Sequence, residues 1–514
     1  MGLRITFAAL ALVGVLSAQS TPKAQPIRQK RMLPDSFLLE SYQLSKELVP
    51  FERATLLNYL SLAAAQHHLS CTSAWSEENL QLARQLPMTW TRWAVEKNSL
   101  VALSYAKPNR ALALIRSMEL PSEGIGFRED IRSDGANTIF DNYWRAHQAK
   151  GVARLRDEAM YIGQTGQYPY RAIEHIVANL AATGPKGQSA IPATAQTLIT
   201  DAYFFYRRGS QFEVEDDEFV EFLQNLRPII ASNILKQGLD LAVERLLDKD
   251  RPHAKQGYLV RIQTENGSAV FRRRQDTLLF YLLPLVRELD PAWAEQIIQR
   301  DEALGQAEGN NGKGIMSEGI TIPGDSSAPS DLADGLQRSR ASAVGELAQT
   351  DPAAARRLAQ TIADPSVRVV ALANIAAAVG TSEPGQAEEI EKNIGDSIPF
   401  IKDEGDRLKA LSALVKAAAA AGDTPSLHAA LDRCFKLGEE LFEEDSDTYP
   451  ANGTYDTQAY IALSDAVKSS APIASAMVGG KIHEIRSLPL RAYLLYSIAD
   501  ALYAAPTKSE PIHQ

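Results

Sequence analysis

The chain is expected to be all-α, an α-solenoid of antiparallel helical hairpins with a small β-hairpin insertion, and three observations carry that expectation. First, an arginine followed by apolar residues at i+4 and i+7 recurs: Arg53 with Leu57 and Leu60, Arg340 with Val344 and Leu347, Arg368 with Leu372 and Ile375, Arg407 with Leu411 and Leu414, and Arg491 with Leu495 and Ile498. That spacing places both apolar side chains on one face of a helix. Second, a capping oxygen stands directly before proline at Asp290-Pro291, Asp351-Pro352, Asp364-Pro365 and Thr424-Pro425. Such pairs open helices, because proline at the first helical position lacks only an N–H that has no helical partner. Third, Gly380 and Gly422 close alanine-rich helical runs, where a left-handed residue ends a helix.

In the C-terminal third, helical patterns cover 331–349, 351–363, 365–379, 405–421, 424–444, 456–468, 472–484 and 487–504. Turns of a few residues between them require antiparallel packing of neighbours. The arginines at 340, 368, 407 and 491 are 28, 39 and 84 residues apart, and the last gap fits two units of about 42 residues. At fold level this pattern resembles tetratricopeptide and HEAT-like repeat proteins, and the resemblance implies an architecture of stacked helix pairs. The tetratricopeptide signature itself is absent from every copy, so no site residue carries over.

With 514 residues, 45% apolar and 23% charged, the composition is that of an ordinary globular protein. A net charge of −10 argues against a nucleic-acid partner, which calls for a basic face. Residues 1–18 have an early Arg4, an apolar run from Ile5 to Leu16 and small residues near Ala18, the outline of a secretory signal peptide. The run of about 12 residues falls short of the roughly 20 that span a bilayer. The expectation is an exported chain, periplasmic or extracellular, with no transmembrane segment after cleavage. Two cysteines, Cys71 and Cys434, define no disulfide framework.

The expected layout is a flexible leader at 19–33, helices over 34–256, a β-hairpin at 257–273, helices over 274–304, a Gly/Ser-rich loop at 305–332 and helical repeats over 333–505. The hairpin rests on Asn266-Gly267 between two apolar runs, which suits a tight turn. The acidic run from Glu213 to Glu221 has two readings, a site for a cation or basic partner and a charged helix start favoured by the macrodipole.

Catalytic motifs fail on inspection. Lys313 follows Gly312, but Ala307 stands where a phosphate loop needs its first glycine and Gly314 where it needs Ser or Thr. His483-Glu484 has Ser487 where a zinc helix needs its second histidine. Tyr449 and Pro450 interrupt the calcium-loop opening at Asp445. No cofactor, metal ligand or catalytic residue is assigned. The interface candidates are Trp75, Trp90, Trp93, Tyr143 and Trp144, with Arg272, Arg273 and Arg274 at the hairpin exit; the aromatics also suit a packed core. The function expected is an exported helical-repeat scaffold for a protein or peptide partner. The alternatives are an α/α-toroid enzyme acting on polysaccharide and a structural envelope component. A toroid would bring first and last helices together, whereas an open array would keep them apart.

Overall fold

The computed structural model describes residues 33–505 other than 88–89, 120–129, 184–190, 211, 213, 249–258, 265–266, 272, 301–303, 306, 308–314, 322–340, 342, 381 and 447–456. The expected signal peptide and nearly all of the leader lie outside the described residues, as do Arg340 and Asn266. The N-terminal helices are α1 (Pro34–Ser45), α2 (Pro50–Gln66), α3 (Thr72–Ala83), α4 (Trp90–Ala106), α5 (Pro108–Leu114), α6 (Ile131–His147), α7 (Val152–Thr165), α8 (Tyr170–Thr183), α9 (Ala193–Arg208), α10 (Glu215–Leu226) and α11 (Ser232–Leu247). Strands β1 (Leu259–Thr264) and β2 (Gly267–Phe271) come next, followed by α12 (Arg274–Leu289), α13 (Pro291–Arg300) and β3 (Ile315–Thr321). The rest is α14 (Pro352–Gln360), α15 (Pro365–Val379), α16 (Pro384–Ser397), α17 (Glu404–Ala421), α18 (Thr424–Ser446), α19 (Gln458–Glu484) and α20 (Leu488–Ala504).

Local chemistry sets many of these boundaries. Asp364 accepts the Ser366 and Val367 N–H groups at 2.8 and 3.4 Å, and Asp351 accepts Ala354 N–H at 2.9 Å. Gly422 ends α17 at φ +73°, a left-handed conformation that glycine adopts without strain. Gly380 differs from expectation. Its φ is −54°, and its value lies in the missing Cβ, which leaves room for the Ala420 carbonyl oxygen.

The recurring ridges face the core, with Leu347 and Leu372 only partly buried against it. Leu57, Leu60, Val344, Ile375, Leu495 and Ile498 are each fully buried, and Leu411 and Leu414 nearly so. Helices stack in two layers. One layer runs α15, α17, α19, α20, α2, α4, α6, α8, α10, α12, each touching the next, while the intervening helices pack behind. The arrangement is a helical-repeat architecture, but its order in space is not the order of the chain. From α14 it proceeds to α20, crosses to α1, and continues to α13.

That crossing is an antiparallel helix pair drawn from opposite ends of the described chain. Ser41 Oγ donates to the Ala492 carbonyl at 2.7 Å, Tyr493 OH donates to the Glu52 carbonyl at 3.4 Å, and Tyr503 OH donates to Asp35. One core accordingly joins Phe37, Leu56 and Leu60 to residues of α14–α20, while a second spans Leu80 to Ala307.

Helix α19 is two helices in one. Pro472 has no N–H for the Lys468 carbonyl, and Ala474 leaves helical geometry at φ −137°, ψ 42°. The first half bonds forward to α20, with Ser464 and Ser497 hydroxyls 2.9 Å apart and Lys468 Nζ 2.8 Å from Asp500. The second half reaches the back layer, with Lys481 Nζ 2.7 Å from Asp432 of α18 and His483 Nε2 2.7 Å from Glu40 of α1. The kink thus acts as a hairpin turn, and the 84-residue arginine gap spans two hairpins.

Two features of the expected fold class are corrected. The all-α solenoid with a self-contained β-hairpin insertion at 257–273 does not exist as such. β1 pairs antiparallel with β2 on one edge (Val260 with Phe271) and with β3 on the other (Arg261 with Gly319), in the order β2-β1-β3. The third strand comes from the stretch expected to be loop at 305–332. An isolated two-stranded ribbon is marginal in water, and pairing the free edge of β1 satisfies its backbone groups. The second concerns the ends: of the open array and the toroid set out above, contact between α1 and α20 is what a toroid brings and an open solenoid does not.

Two predictions follow from this packing. Phe37 is fully buried beside Gly479 of α19, so Phe37→Ala should cost about 3–5 kcal/mol. Denaturant unfolding measures that cost, and hydrogen exchange should show protection lost in α20 as well as α1; loss confined to α1 would contradict the shared core. Burial alone would push the Asp364 carboxyl up, but the Ser366 hydroxyl and the N–H groups of Ser366 and Val367 more than offset this and hold it below its ordinary value. Its contribution is therefore present above the ordinary carboxylate pKa and lost as pH falls through the lowered one. Asp364→Ala should cost about 1 kcal/mol at neutral pH, and Asp364→Asn should keep the cap while flattening the acid limb of the stability profile.

Candidate functional site

The residues singled out from sequence do not share one surface. Trp75 is 4% exposed and stacks on Tyr42, with ring centroids 4.6 Å apart. Trp93 is fully buried, Tyr143 and Trp144 are nearly so, and Trp90 opens α4. Trp75 belongs to one core and Trp93, Tyr143 and Trp144 to the other. Arg272 lies outside the described residues. Arg273 Nε donates to Asp276 at 3.0 Å, and Arg274 Nε donates to Asp217 at 2.8 Å.

The acidic run at the start of α10 turns inward. Glu215 accepts the Ser210 N–H at 2.8 Å and the Tyr170 hydroxyl at 3.3 Å, and pairs with Arg245. Arg245 Nε lies 3.0 Å from Asp216, and its guanidinium covers the Tyr206 ring at 4.2 Å. Glu218 accepts Gln167 Nε2 at 2.6 Å. Burial pushes the Asp217 carboxyl up, and its bond to Arg274 works against that rise. A helix N-terminus tolerates this density of carboxylates because its free N–H groups carry positive partial charge. These acids hold α8, α10, α11 and α12 together.

Among the described residues, the grooves of the front layer include these two. One, between α6 and α8, has a volume of about 480 Å³ and is bordered by Asp141, Trp144, Arg145 and His175; His175 Nδ1 lies 3.3 Å from Asp141 Oδ2. The other lies across α15, α17 and the first half of α19, with a volume of about 420 Å³. Its floor is apolar, built from Val370, Ala373, Ala413, Ala462 and Ile461, the last 47% exposed. Its polar groups are Lys409, Lys416, Lys468, Asn374 and Asp465.

Helical geometry explains why the lysines converge. Lys409 and Lys416 are seven residues apart on α17, hence on one face. Asn374 and Lys468 arrive from the helices on either side. Lys416 Nζ donates to Asn374 Oδ1 at 2.7 Å, Lys409 pairs with Asp406 at 3.0 Å, and Lys468 pairs with Asp500. Burial lowers the Lys416 pKa, with the Asp465 charge opposing, and burial raises that of Asp465, with Lys468 and Lys416 opposing. Only the i, i+7 lysine pair could have been found from sequence. Its neighbours come from 42 residues upstream and 52 downstream of Lys416.

Among the described residues, no group of three or more His, Cys, Asp or Glu is arranged to hold a metal ion. No helix among them is long and apolar enough to cross a membrane. Cys71 and Cys434 are free thiols; burial pushes Cys434 up to about 12 and raises Cys71 as well, so neither is primed as a nucleophile.

Arg245 and Glu215 form a pair with side chains 12% and 2% exposed. Arg245→Met strands two buried carboxylates and should cost about 3–5 kcal/mol in denaturant unfolding. Adding Glu215→Gln to that variant should recover part of the loss, and full additivity of the two changes would contradict direct coupling.

No protein-family model and no curated protein matches the chain. Among solved structures, a circular tandem repeat protein with novel repeat topology and enhanced subunit contact surfaces aligns over 92% of this chain and 96% of its own, at 12% identity and a TM-score of 0.19. A likeness at that level carries no weight here, and the repeat architecture rests on the packing of the helices themselves.

Proposed function

We propose that the protein is an exported helical-repeat scaffold that seats a segment of a partner protein in the groove across α15, α17 and α19. The single observation behind this reading is that groove, where an apolar floor with a projecting Ile461 is edged by lysines on two adjacent front-layer helices and by Asn374 on the third. Exposed apolar side chains inside a concavity gain from being covered, at about 25 cal/mol per Å² removed from water. Helices held by their neighbours present such a floor without the entropy cost of ordering a loop. The export half rests on residues 1–18, whose apolar run and small-residue end have the form of a cleaved signal.

Ile461→Asp places a charge on the floor at a half-exposed position, so the helical content and melting temperature should stay near those of the wild type. Binding of labelled peptides that the wild type retains should fall at least tenfold, measured by fluorescence anisotropy. Unchanged peptide binding in this variant would remove the groove from consideration. Expression of the full chain in a bacterial host, followed by N-terminal sequencing of the periplasmic fraction, should give a start near Gln19; a cytosolic product beginning at Met1 would exclude export.

A further inference from the structure

We infer that the segment seated in the groove carries a side-chain carboxylate next to a branched apolar residue, and that Lys416 is the cation that receives it. This rests on the groove reading above and adds the chemical class of its occupant. The three lysines of the lining differ in what already holds them. Lys409 and Lys468 form ion pairs with Asp406 and Asp500, acids that are not part of the groove wall. Lys416 is partly buried, and its hydrogen bond goes to a neutral oxygen, Oδ1 of Asn374 at 2.7 Å.

A cation in that position has given up water without gaining a contact ion pair. An arriving carboxylate would supply one in surroundings of reduced dielectric, where opposite charges attract more strongly than in bulk water. The apolar floor lies beside it, with Ile461 and Ala462 on α19 and Ala413 one residue-turn from Lys416 on α17. The match is therefore to adjacent apolar and acidic side chains. A phosphate is a poorer match: the lining has no arginine fork, and two of its three lysines are already paired. Asp465 sits on the same wall and would repel the incoming acid, which gives the proposal a second lever of opposite sign.

The test uses the full chain and a set of fluorescein-labelled ten-residue peptides with a Leu-Glu pair in an alanine-rich background, amidated at the C-terminus. Each has a Leu-Gln twin and a twin with a free C-terminal carboxylate. The expected result is tighter binding of Glu peptides than of Gln twins by tenfold or more. Lys416→Met should remove that preference and leave the Gln twins unchanged, and Asp465→Asn should tighten Glu peptides several-fold. Circular dichroism of both variants checks that they fold. Equal binding of Glu and Gln twins, with Ile461→Asp still abolishing both, would overturn the carboxylate assignment and leave the groove standing. Binding only of the free C-terminal twins would overturn the side-chain assignment. Absence of binding by every peptide, or binding indifferent to Ile461→Asp, would overturn both readings.

Discussion

Each helix of this array has an apolar stripe that it cannot bury by itself, so the structure depends on an unbroken succession of neighbours. The pairing of α1 with α20 is the point where that succession would otherwise stop. Without it, Phe37, Leu56 and Leu60 on one side and Leu494, Leu495 and Ile498 on the other would face water in the middle of the array. The two helices are connected by no short loop, so side-chain packing and a few hydrogen bonds replace covalent continuity. Closing a contact between segments more than 450 residues apart carries a loop-closure entropy that grows only logarithmically with length, whereas the apolar area buried grows with every residue of the stripe.

The same demand for continuity explains α19. Pro472 breaks the hydrogen-bond ladder at the position where the chain has to leave the front layer for the back. The result keeps front and back helices alternating without a separate turn. Its first half also contributes Ile461 and Asp465 to the groove, so one backbone irregularity serves both the packing order and the surface the front layer displays. Charged groups obey a different logic in the two halves of the molecule. At α10 Glu215, Asp216 and Glu218 are buried, and these three together with Asp217 have named partners, which fixes the relative placement of four helices. At the groove two of the lysines pair with acids outside the wall, and the third donates its hydrogen bond to a neutral amide.

Much of this was legible in the sequence because its causes are local. The caps at Asp351 and Asp364 act within three residues, and the Arg-x3-apolar-x2-apolar ridges act within two turns of one helix. Even the split of α19 was legible, since 456–468 and 472–484 read as separate helices on either side of Pro472. The groove was not legible, because Asn374, Lys416 and Asp465 are ordinary polar residues on three different helices. The Trp-rich helices drew attention instead, but tryptophan at helical spacing serves a core as readily as a surface, and Trp75 and Trp93 lie inside. The acidic run was ambiguous for a related reason: its partners, Arg245 and Arg274, lie on helices far along the chain.

By itself, then, the amino-acid sequence determined where many helices start and stop and which faces are apolar, since capping, periodicity and proline geometry operate over a few residues; α16 (Pro384–Ser397) falls outside every helical pattern read from it. The tertiary structure alone decided the order of the helices in space, the partnership of the two chain ends, the third strand beside β1 and the gathering of lysines around an apolar floor. Those features come from contacts between segments whose separation along the chain has no periodic signature. Apolar stripes state that a helix must be covered, and only packing in three dimensions settles which neighbour covers it.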